Sequence, residues 1–351
     1  MNQIITQNNS SPFVSTRSDD SKVRIAFSPR ILHAPGSDYG RFTRGAENII
    51  RDNFKDVQMS AVMIDHKKRM IPEYIKNHEA FFLFGAAADI AEADSKGLHK
   101  DVKKRIKFEM KLTEEAIKNG KLIFGACGGM QSISKFLLGM KMDEYIPDIE
   151  HGGQFNHYGN RNFETAHPML FTDKNSVSCN VAKKFGSWSN EKNFGVLLIN
   201  SVHKQGFKVQ EIVQLQKEIN QYFQDKAPFT VNLSGYSPDG YVEAIEIREK
   251  NTEIPIIVLT QFHPEYRRFH PKNNEIIKLN EAEKTGRKIF CELKDTILQN
   301  RQQQTRLDTR QALLDFINYK KQQVTSIDQI EEKDYWAEYD RYKPSEIAVT
   351  Q

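Results

Sequence analysis

The sequence has few cysteines, no long apolar run and little net charge. Three cysteines in 351 residues, an odd and low number, predict a reducing compartment and no disulfide framework. No apolar run approaches the roughly 18 residues of a membrane span, so a membrane protein is not expected. The net charge of +4 gives no indication of nucleic-acid binding. The absence of Cys-x-x-Cys and His-x-x-x-His patterns excludes the usual zinc motifs, so no metal site is predicted.

Composition also predicts the organisation of the chain. Residues 1–20 are rich in Asn, Ser, Thr and Gln without a signal-peptide-like apolar stretch, which predicts a flexible tail. Residues 21–270 carry the alternating apolar pattern of a folded domain, and residues 271–351 indicate a helical C-terminal extension. We therefore expect a cytoplasmic protein, although acidic residues in the last part leave a C-terminal secretion signal open.

Strand patterns alternate with helix patterns in the first half. Val23–Phe27, Val57–Ile64 and Ala80–Phe84 are short apolar runs typical of buried strands. Lys100–Asn119 has the spacing of an amphipathic helix, and Gly120 is placed to cap it. Alternation of this kind predicts an α/β fold with a mostly parallel central sheet covered on both faces.

The second half is less regular. Phe194–Ile199 and Ile254–Leu259 predict buried strands, and Tyr241–Ile247 predicts an antiparallel strand after a hairpin turn at Ser237–Gly240. Met140–Pro168 has few apolar residues and predicts long loops over the strand ends. Three histidines there are interpreted as loop residues without a functional role: His151, His157 and His167.

Cys127 stands at a predicted turn from strand to helix. The apolar run Leu122–Phe124 indicates a strand end, and Met130–Leu138 has helical spacing. The residues around the cysteine are small, which lets a sharp turn close and expose the side chain to solvent, as in a nucleophile elbow. The helix N-terminus behind the turn favours the thiolate.

His263 is the best candidate base for this cysteine. It follows a predicted buried strand and therefore lies at the same sheet edge as Cys127. Glu265 lies two residues on, hence on the same side of an extended segment, and its carboxylate can orient the imidazole through Nδ1.

These residues resemble a known family. Residues 125–131, G-A-C-G-G-M-Q, resemble the G-x-C-x-G-x-Q elbow of class I glutamine amidotransferase-like proteins, and residues 263–265 resemble their H-P-E motif. Residues 200–205, N-S-V-H-K-Q, and 237–246, S-P-D-G-Y-V-E-A-I-E, are similar to segments of the γ-glutamyl-γ-aminobutyrate hydrolase branch, peptidase C26.

The resemblance implies a fold and a reaction. The fold is a three-layer α/β/α sandwich of flavodoxin-like type over residues 21–270. The reaction is hydrolysis of a γ-glutamyl amide, such as γ-glutamyl-γ-aminobutyrate, without metal or organic cofactor. Cys127 would form a γ-glutamyl thioester, His263 would protonate the leaving amine and activate water, and Glu265 would orient His263.

Further residues take roles from the same resemblance. The oxyanion would be held by backbone N–H groups of Gly128 and of Ala86, in the loop after the third strand. Gln131 matches the position that contacts the glutamyl backbone, and His203 is expected to contact substrate or leaving group. The chain departs from the family at residues 85–89, G-A-A-A-D, where the family has a Pro-Gly-Gly-x-Asp loop. A positive φ at Ala86 would be strained.

The motifs leave two alternatives to a γ-glutamyl hydrolase. One is a glutaminase that supplies ammonia to a separate synthase, and the other is a catalytically weak or inactive binding protein that keeps the fold. The expected partner is a small γ-glutamyl molecule rather than nucleic acid or a membrane, and a homodimer is possible. The helical segment 205–235 could cover the strand ends as a lid.

Overall fold

The computed structural model describes residues 22–28, 54–84, 90–147, 167–171, 173–185, 187–266, 279–303 and 307–333. The strands are β1 (Val23–Ser28), β2 (Met59–Met63), β3 (Ala80–Leu83), β4 (Leu98–His99), β5 (Leu122–Ala126), β6 (His167–Phe171), β7 (Trp188–Ser189), β8 (Phe194–Ile199), β9 (Phe229–Tyr236), β10 (Val242–Glu249), β11 (Pro255–Thr260) and β12 (Glu332–Lys333). The α-helices are α1 (Ile71–Asn77), α2 (Ala93–Lys96), α3 (Lys100–Lys118), α4 (Gly128–Phe136), α5 (Val177–Phe185), α6 (Val209–Tyr222), α7 (Glu281–Gln303) and α8 (Leu307–Lys321).

Ten of these strands form one central sheet in the order β2-β1-β3-β5-β11-β10-β9-β6-β8-β7. Every neighbouring pair from β2 to β11 is parallel. The sheet then continues with antiparallel pairs through β10, β9, β6, β8 and β7. The predicted α/β fold is therefore confirmed, with its parallel core where the short apolar runs alternate with helices.

Both faces of the central strands β3, β5 and β11 are buried. Successive side chains of a strand point to opposite faces, so each strand contributes to two apolar clusters. In β3, Phe81 and Leu83 pack into one apolar cluster, and Ala80 and Phe82 pack into another. The first cluster also contains apolar side chains of α3, α4, α6 and α8, while the second contains those of α5 and α7. The three layers follow from this division.

The predicted helix after the third strand and its cap are observed. The helix α3 ends at Lys118, and Gly120 follows with φ of +65°, a conformation that glycine adopts without a Cβ penalty. The N–H of Lys121 donates to the carbonyl of Ala116 at 2.9 Å, which satisfies one of the last helical carbonyls. The chain then enters β5 directly.

Two segments of the second half differ from the expectation. His167–Phe171 is a strand, β6, rather than the end of a loop, because Met169 and Phe171 pack on the sheet's second apolar cluster. The segment 205–235 is not a lid. Its helix α6 buries Ile212 and Ile219 in the first cluster, and its last part is the sheet strand β9. The apolar residues of this segment pack into the helical layer on one face of the sheet, so the segment is part of the core.

The C-terminal helices pack on the sheet domain. The helix α7 contacts β1, β8 and α5, and α8 contacts α3. The last strand, β12, pairs in parallel with β4. At Gly286 in α7 the approach is very close, because a Cβ there would lie 2.3 Å from the carbonyl oxygen of Pro264. The helix therefore supports the backbone next to His263.

Several expectations fall outside the described residues. They are the tail 1–20, the loop histidines His151 and His157, and the end of the chain after residue 333. Among the described residues, every helix is too short or too polar to cross a membrane.

We predict that Gly286→Ala destabilises the protein by about 1–3 kcal/mol, because the added methyl group overlaps the Pro264 carbonyl. At a solvent-exposed position inside a helix, the same change would stabilise the protein by about 1 kcal/mol. Denaturant unfolding followed by circular dichroism measures the difference. Arg287→Ala, on the exposed side of α7, is the matched control. Equal or greater stability of Gly286→Ala would contradict the packing of α7 described here.

Candidate active site

Cys127 occupies a strained turn between β5 and α4. It has φ of 48° and ψ of −110°, a backbone conformation that costs a non-glycine residue on the order of 1–3 kcal/mol. The turn is held on both sides by backbone hydrogen bonds. The N–H of Cys127 donates to the carbonyl of Thr260 at 2.8 Å, and its carbonyl accepts from the N–H of Gln131 at 2.9 Å. This is the strand-to-helix geometry that the sequence predicts.

Gly129 lets the helix behind the cysteine approach the neighbouring strand. A Cβ at this position would lie 2.1 Å from the carbonyl oxygen of Leu83, at the end of β3. No side chain fits in that space, so a glycine is required for the turn to close. The need for small residues around Cys127 thus has a specific cause in the packing of α4 on β3.

The thiol itself is not open to solvent. Cys127 is 8% exposed, so the prediction of a solvent-exposed side chain is wrong. The reason is the position of β5 in the sheet. It lies between β3 and β11, and the ends of both neighbouring strands and the start of α4 surround the turn.

His263 and Glu265 form a buried pair beside this turn. The Nδ1–H of His263 donates to Glu265 Oε1 at 2.7 Å, and His263 is fully buried. The ring of Tyr266 stacks on the imidazole, with the ring centroids 4.2 Å apart. These contacts fix the plane of the imidazole and place a proton on Nδ1, so that Nε2 is the nitrogen available to a thiol or a leaving group.

Neighbouring acidic groups raise the pKa of His263 despite its burial. Burial alone would lower the pKa of its imidazole. The acidic groups of Tyr266, Cys127 and Glu265 outweigh burial and raise the pKa well above 6.5. An imidazolium next to the sulfur stabilises a thiolate, which is the reactive form of a cysteine.

Asn200 holds the backbone of His263 from both sides. Its Nδ2 donates to the carbonyl of His263 at 2.7 Å, and its Oδ1 accepts from the N–H of His263 at 2.9 Å. The asparagine follows β8, so this pair of hydrogen bonds links two distant parts of the chain. It fixes the histidine independently of Glu265.

The other predicted residues are placed as follows. Gly128 begins α4, so its N–H belongs to the first turn of the helix, where backbone donors point away from the helix. Ala86 lies outside the described residues. Gln131 is buried in the first turns of α4, and its Nε2 donates to the carbonyl of Gln205 at 3.1 Å. The same carbonyl lies 3.1 Å from Nδ1 of His203, so Gln131 and His203 share one backbone anchor.

Four residues of this region have roles that sequence reasoning missed. Asn200 and Glu243 lie within the motifs 200–205 and 237–246, which was the only signal for them. Tyr266 directly follows the H-P-E motif. His167, interpreted as a loop residue, is instead buried at the start of β6. Its Nε2 lies 3.5 Å from Glu243 Oε1, a contact that spacing along the chain cannot reveal.

A comparison with protein families finds a match for this chain. The family model of peptidase C26 matches residues 44–265, which is more than half of the chain. The match includes both Cys127 and the His263–Glu265 pair. A search of curated proteins finds no match.

Solved structures include a similar chain at low identity. The glutaminase domain of Trypanosoma brucei CTPS with bound acivicin aligns with a TM-score of 0.43 and 15% identity. The alignment covers 77% of this chain and 93% of that domain.

We predict that Glu265→Gln shifts the reactivity of Cys127 to higher pH. The amide still accepts the Nδ1–H bond but lacks the negative charge that raises the pKa of His263. The imidazolium is then lost at lower pH, so a thiolate forms only in more alkaline solution. The measurement is the pH profile of Cys127 alkylation by iodoacetamide. Glu191→Gln, at an exposed position, should leave the profile unchanged, and an unshifted Glu265→Gln profile would contradict this electrostatic role.

We predict that Asn200→Ala both destabilises the protein and slows alkylation of Cys127. The substitution leaves a buried N–H and a buried carbonyl of His263 without their partner, at a cost of about 1–3 kcal/mol. Denaturant unfolding and alkylation rates at fixed pH measure the two effects. Asn180→Ala, in the partly exposed part of α5, is the control. Normal reactivity in Asn200→Ala would show that the histidine is held by other contacts.

Proposed function

Because the chain belongs to the peptidase C26 family, we propose that it hydrolyses a γ-glutamyl amide through a thioester on Cys127. One observation carries the proposal. A cysteine on a strained strand-to-helix turn interacts electrostatically with a histidine whose Nδ1 is held by a carboxylate. This is the arrangement of a cysteine nucleophile, a general acid–base and an orienting group.

The first half of the proposed reaction cleaves the amide. The Cys127 thiolate attacks the side-chain carbonyl carbon of the glutamyl group, and the carbonyl oxygen takes the negative charge. The imidazolium of His263 then gives its Nε2 proton to the leaving nitrogen as the C–N bond breaks. The products of this half are a free amine and a γ-glutamyl thioester, and His263 is left neutral.

The second half returns the enzyme to its first state. Neutral His263 takes a proton from water as the water oxygen attacks the thioester carbonyl. The C–S bond breaks, and the products are glutamate and the thiolate beside a protonated His263. Throughout, Glu265 keeps the imidazole oriented and stabilises its charge, since it accepts the Nδ1–H bond.

Backbone donors are proposed for the oxyanion. Gly128 follows the nucleophile at the N-terminus of α4, where an N–H group and the helix dipole favour negative charge. The second donor is predicted on Ala86. Gln131 is proposed to contact the glutamyl backbone, supported by its place one turn after Cys127. For His203, contact with substrate or leaving group stays a prediction.

We also propose a partner molecule, a cellular location and an assembly state for this activity. The small net charge and the enclosed thiol support a small γ-glutamyl molecule as the partner rather than a nucleic acid. The low number of cysteines supports a cytoplasmic location. A homodimer is the assembly to test by light scattering.

We predict that purified protein releases glutamate from one or more γ-glutamyl amides, with γ-glutamyl-γ-aminobutyrate and glutamine included in the panel. Cys127→Ala should lower the rate by about a thousandfold or more, because no other group can form the thioester. Cys291→Ala, which removes the partly exposed cysteine of α7, should retain activity.

The substrates and a covalent probe separate the alternatives. Preference for glutamine, stimulated by a second protein, would favour a glutaminase. Labelling of Cys127 by 6-diazo-5-oxonorleucine would demonstrate a competent nucleophile. No release from any compound and no labelling would contradict the proposed function and favour a binding protein.

A further inference from the structure

Three buried side chains from separate parts of the sheet meet close to the candidate active site. His167 begins β6, His203 follows β8, and Glu243 lies in β10. Their side chains are at most 1% exposed. One potential ligand atom from each lies within 4.8 Å of the others. The reaction proposed above uses neither His167 nor Glu243.

Backbone contacts fix the tautomer of both histidines. Nδ1 of His167 lies 3.1 Å from the carbonyl oxygen of Pro168, and Nδ1 of His203 lies 3.1 Å from that of Gln205. A carbonyl oxygen only accepts, so each Nδ1 carries the proton. In a neutral imidazole the lone pair is then on Nε2. Histidines that bind a metal are held in this manner, with the second nitrogen bonded to a backbone carbonyl or a carboxylate.

Both Nε2 atoms face the same carboxylate oxygen. Glu243 Oε1 lies 3.5 Å from Nε2 of His167 and 3.6 Å from Nε2 of His203. A direct charge-assisted hydrogen bond would be shorter, about 2.7–2.9 Å. In contrast, ligand atoms about 2.0–2.1 Å from a tetrahedral zinc ion lie roughly 3.3–3.4 Å from one another. The observed separations are therefore close to those of two ligands on one metal ion.

We propose that His167, His203 and Glu243 bind a zinc ion. Two imidazoles and one carboxylate favour a first-row transition metal over Mg²⁺ or Ca²⁺, which prefer oxygen ligands. The set supplies three protein ligands, and a fourth position is left for water. Since the ligands are far apart in sequence, the usual zinc spacing patterns cannot detect them.

The ion would stabilise the backbone around the active site rather than take part in the reaction. His203 lies in the same segment as Asn200, which holds the backbone of His263. The carbonyl of Glu243 accepts from the N–H of Gln261, two residues before His263. An ion at this place would link the three strand regions next to the histidine. It would also occupy the nitrogen of His203 that a substrate would otherwise contact, so the two roles of His203 exclude one another.

Zinc binding by the full-length protein tests the proposal directly. The protein is stripped with EDTA, incubated with Zn²⁺, passed through a desalting column and analysed by elemental mass spectrometry. We expect retention of about one zinc ion per chain. Both His167→Gln and Glu243→Gln should weaken zinc affinity at least about tenfold, because each removes a ligand. His78→Gln, which changes a buried histidine bonded to the carbonyl of Tyr74, should bind like the unchanged protein.

Two further measurements keep the result unambiguous. Retention is repeated in Cys127→Ser, since a thiolate also binds zinc, and the proposal requires the same stoichiometry. Substitution with Co²⁺ in the unchanged protein should give visible bands of a four-coordinate nitrogen and oxygen site without a thiolate charge-transfer band. No retained zinc, undiminished affinity in both ligand variants, or a cobalt spectrum dominated by thiolate would each overturn the proposal. None of these readouts depends on hydrolysis, so they stand apart from the proposed function.

Discussion

The parallel pairing of β5 with β11 is the constraint on which the candidate active site depends. In its register Ala126 lies opposite Thr260, and the hydrogen bond from Cys127 N–H to the Thr260 carbonyl continues the ladder one residue further. The carboxyl ends of both strands therefore lie at the same edge of the sheet. Backbone hydrogen bonds therefore bring Cys127 and the H-P-E segment, which are far apart in sequence, to neighbouring positions.

Around this edge the chain supports the imidazole from several directions. Asn200 holds its backbone, Glu265 holds Nδ1, and the ring of Tyr266 covers one face. The helix α7 lies against the carbonyl of Pro264 through Gly286. A histidine held by this many independent contacts is already oriented before the reaction. It therefore has little orientational freedom left to lose in the transition state, which favours proton transfer. The helix α7 thus belongs to the structural support of the site.

Sequence reasoning predicts the parts of the molecule that depend on local pattern. The strands of the parallel core are short apolar runs, α3 has a clear period and a glycine cap, and the elbow and the His263–Glu265 pair have distinctive spacing. It fails where tertiary packing decides. The strand β6 begins with His167 and Pro168, whose pattern gives no strand signal, and the pattern of segment 205–235 leaves a lid open. The burial of Cys127 and the hydrogen bonds of Asn200 likewise depend on neighbours that are remote in sequence. The oxyanion donor on Ala86 stays a prediction.

The central claim is that Cys127 carries the glutamyl group during turnover. The most direct measurement is mass spectrometry of the protein quenched in acid while it hydrolyses a γ-glutamyl anilide, followed by peptide mapping. The account predicts a glutamyl adduct on the peptide that contains Cys127, removable by hydroxylamine as expected for a thioester. Release of glutamate with no adduct on Cys127, and with undiminished rate in Cys127→Ala, would contradict it.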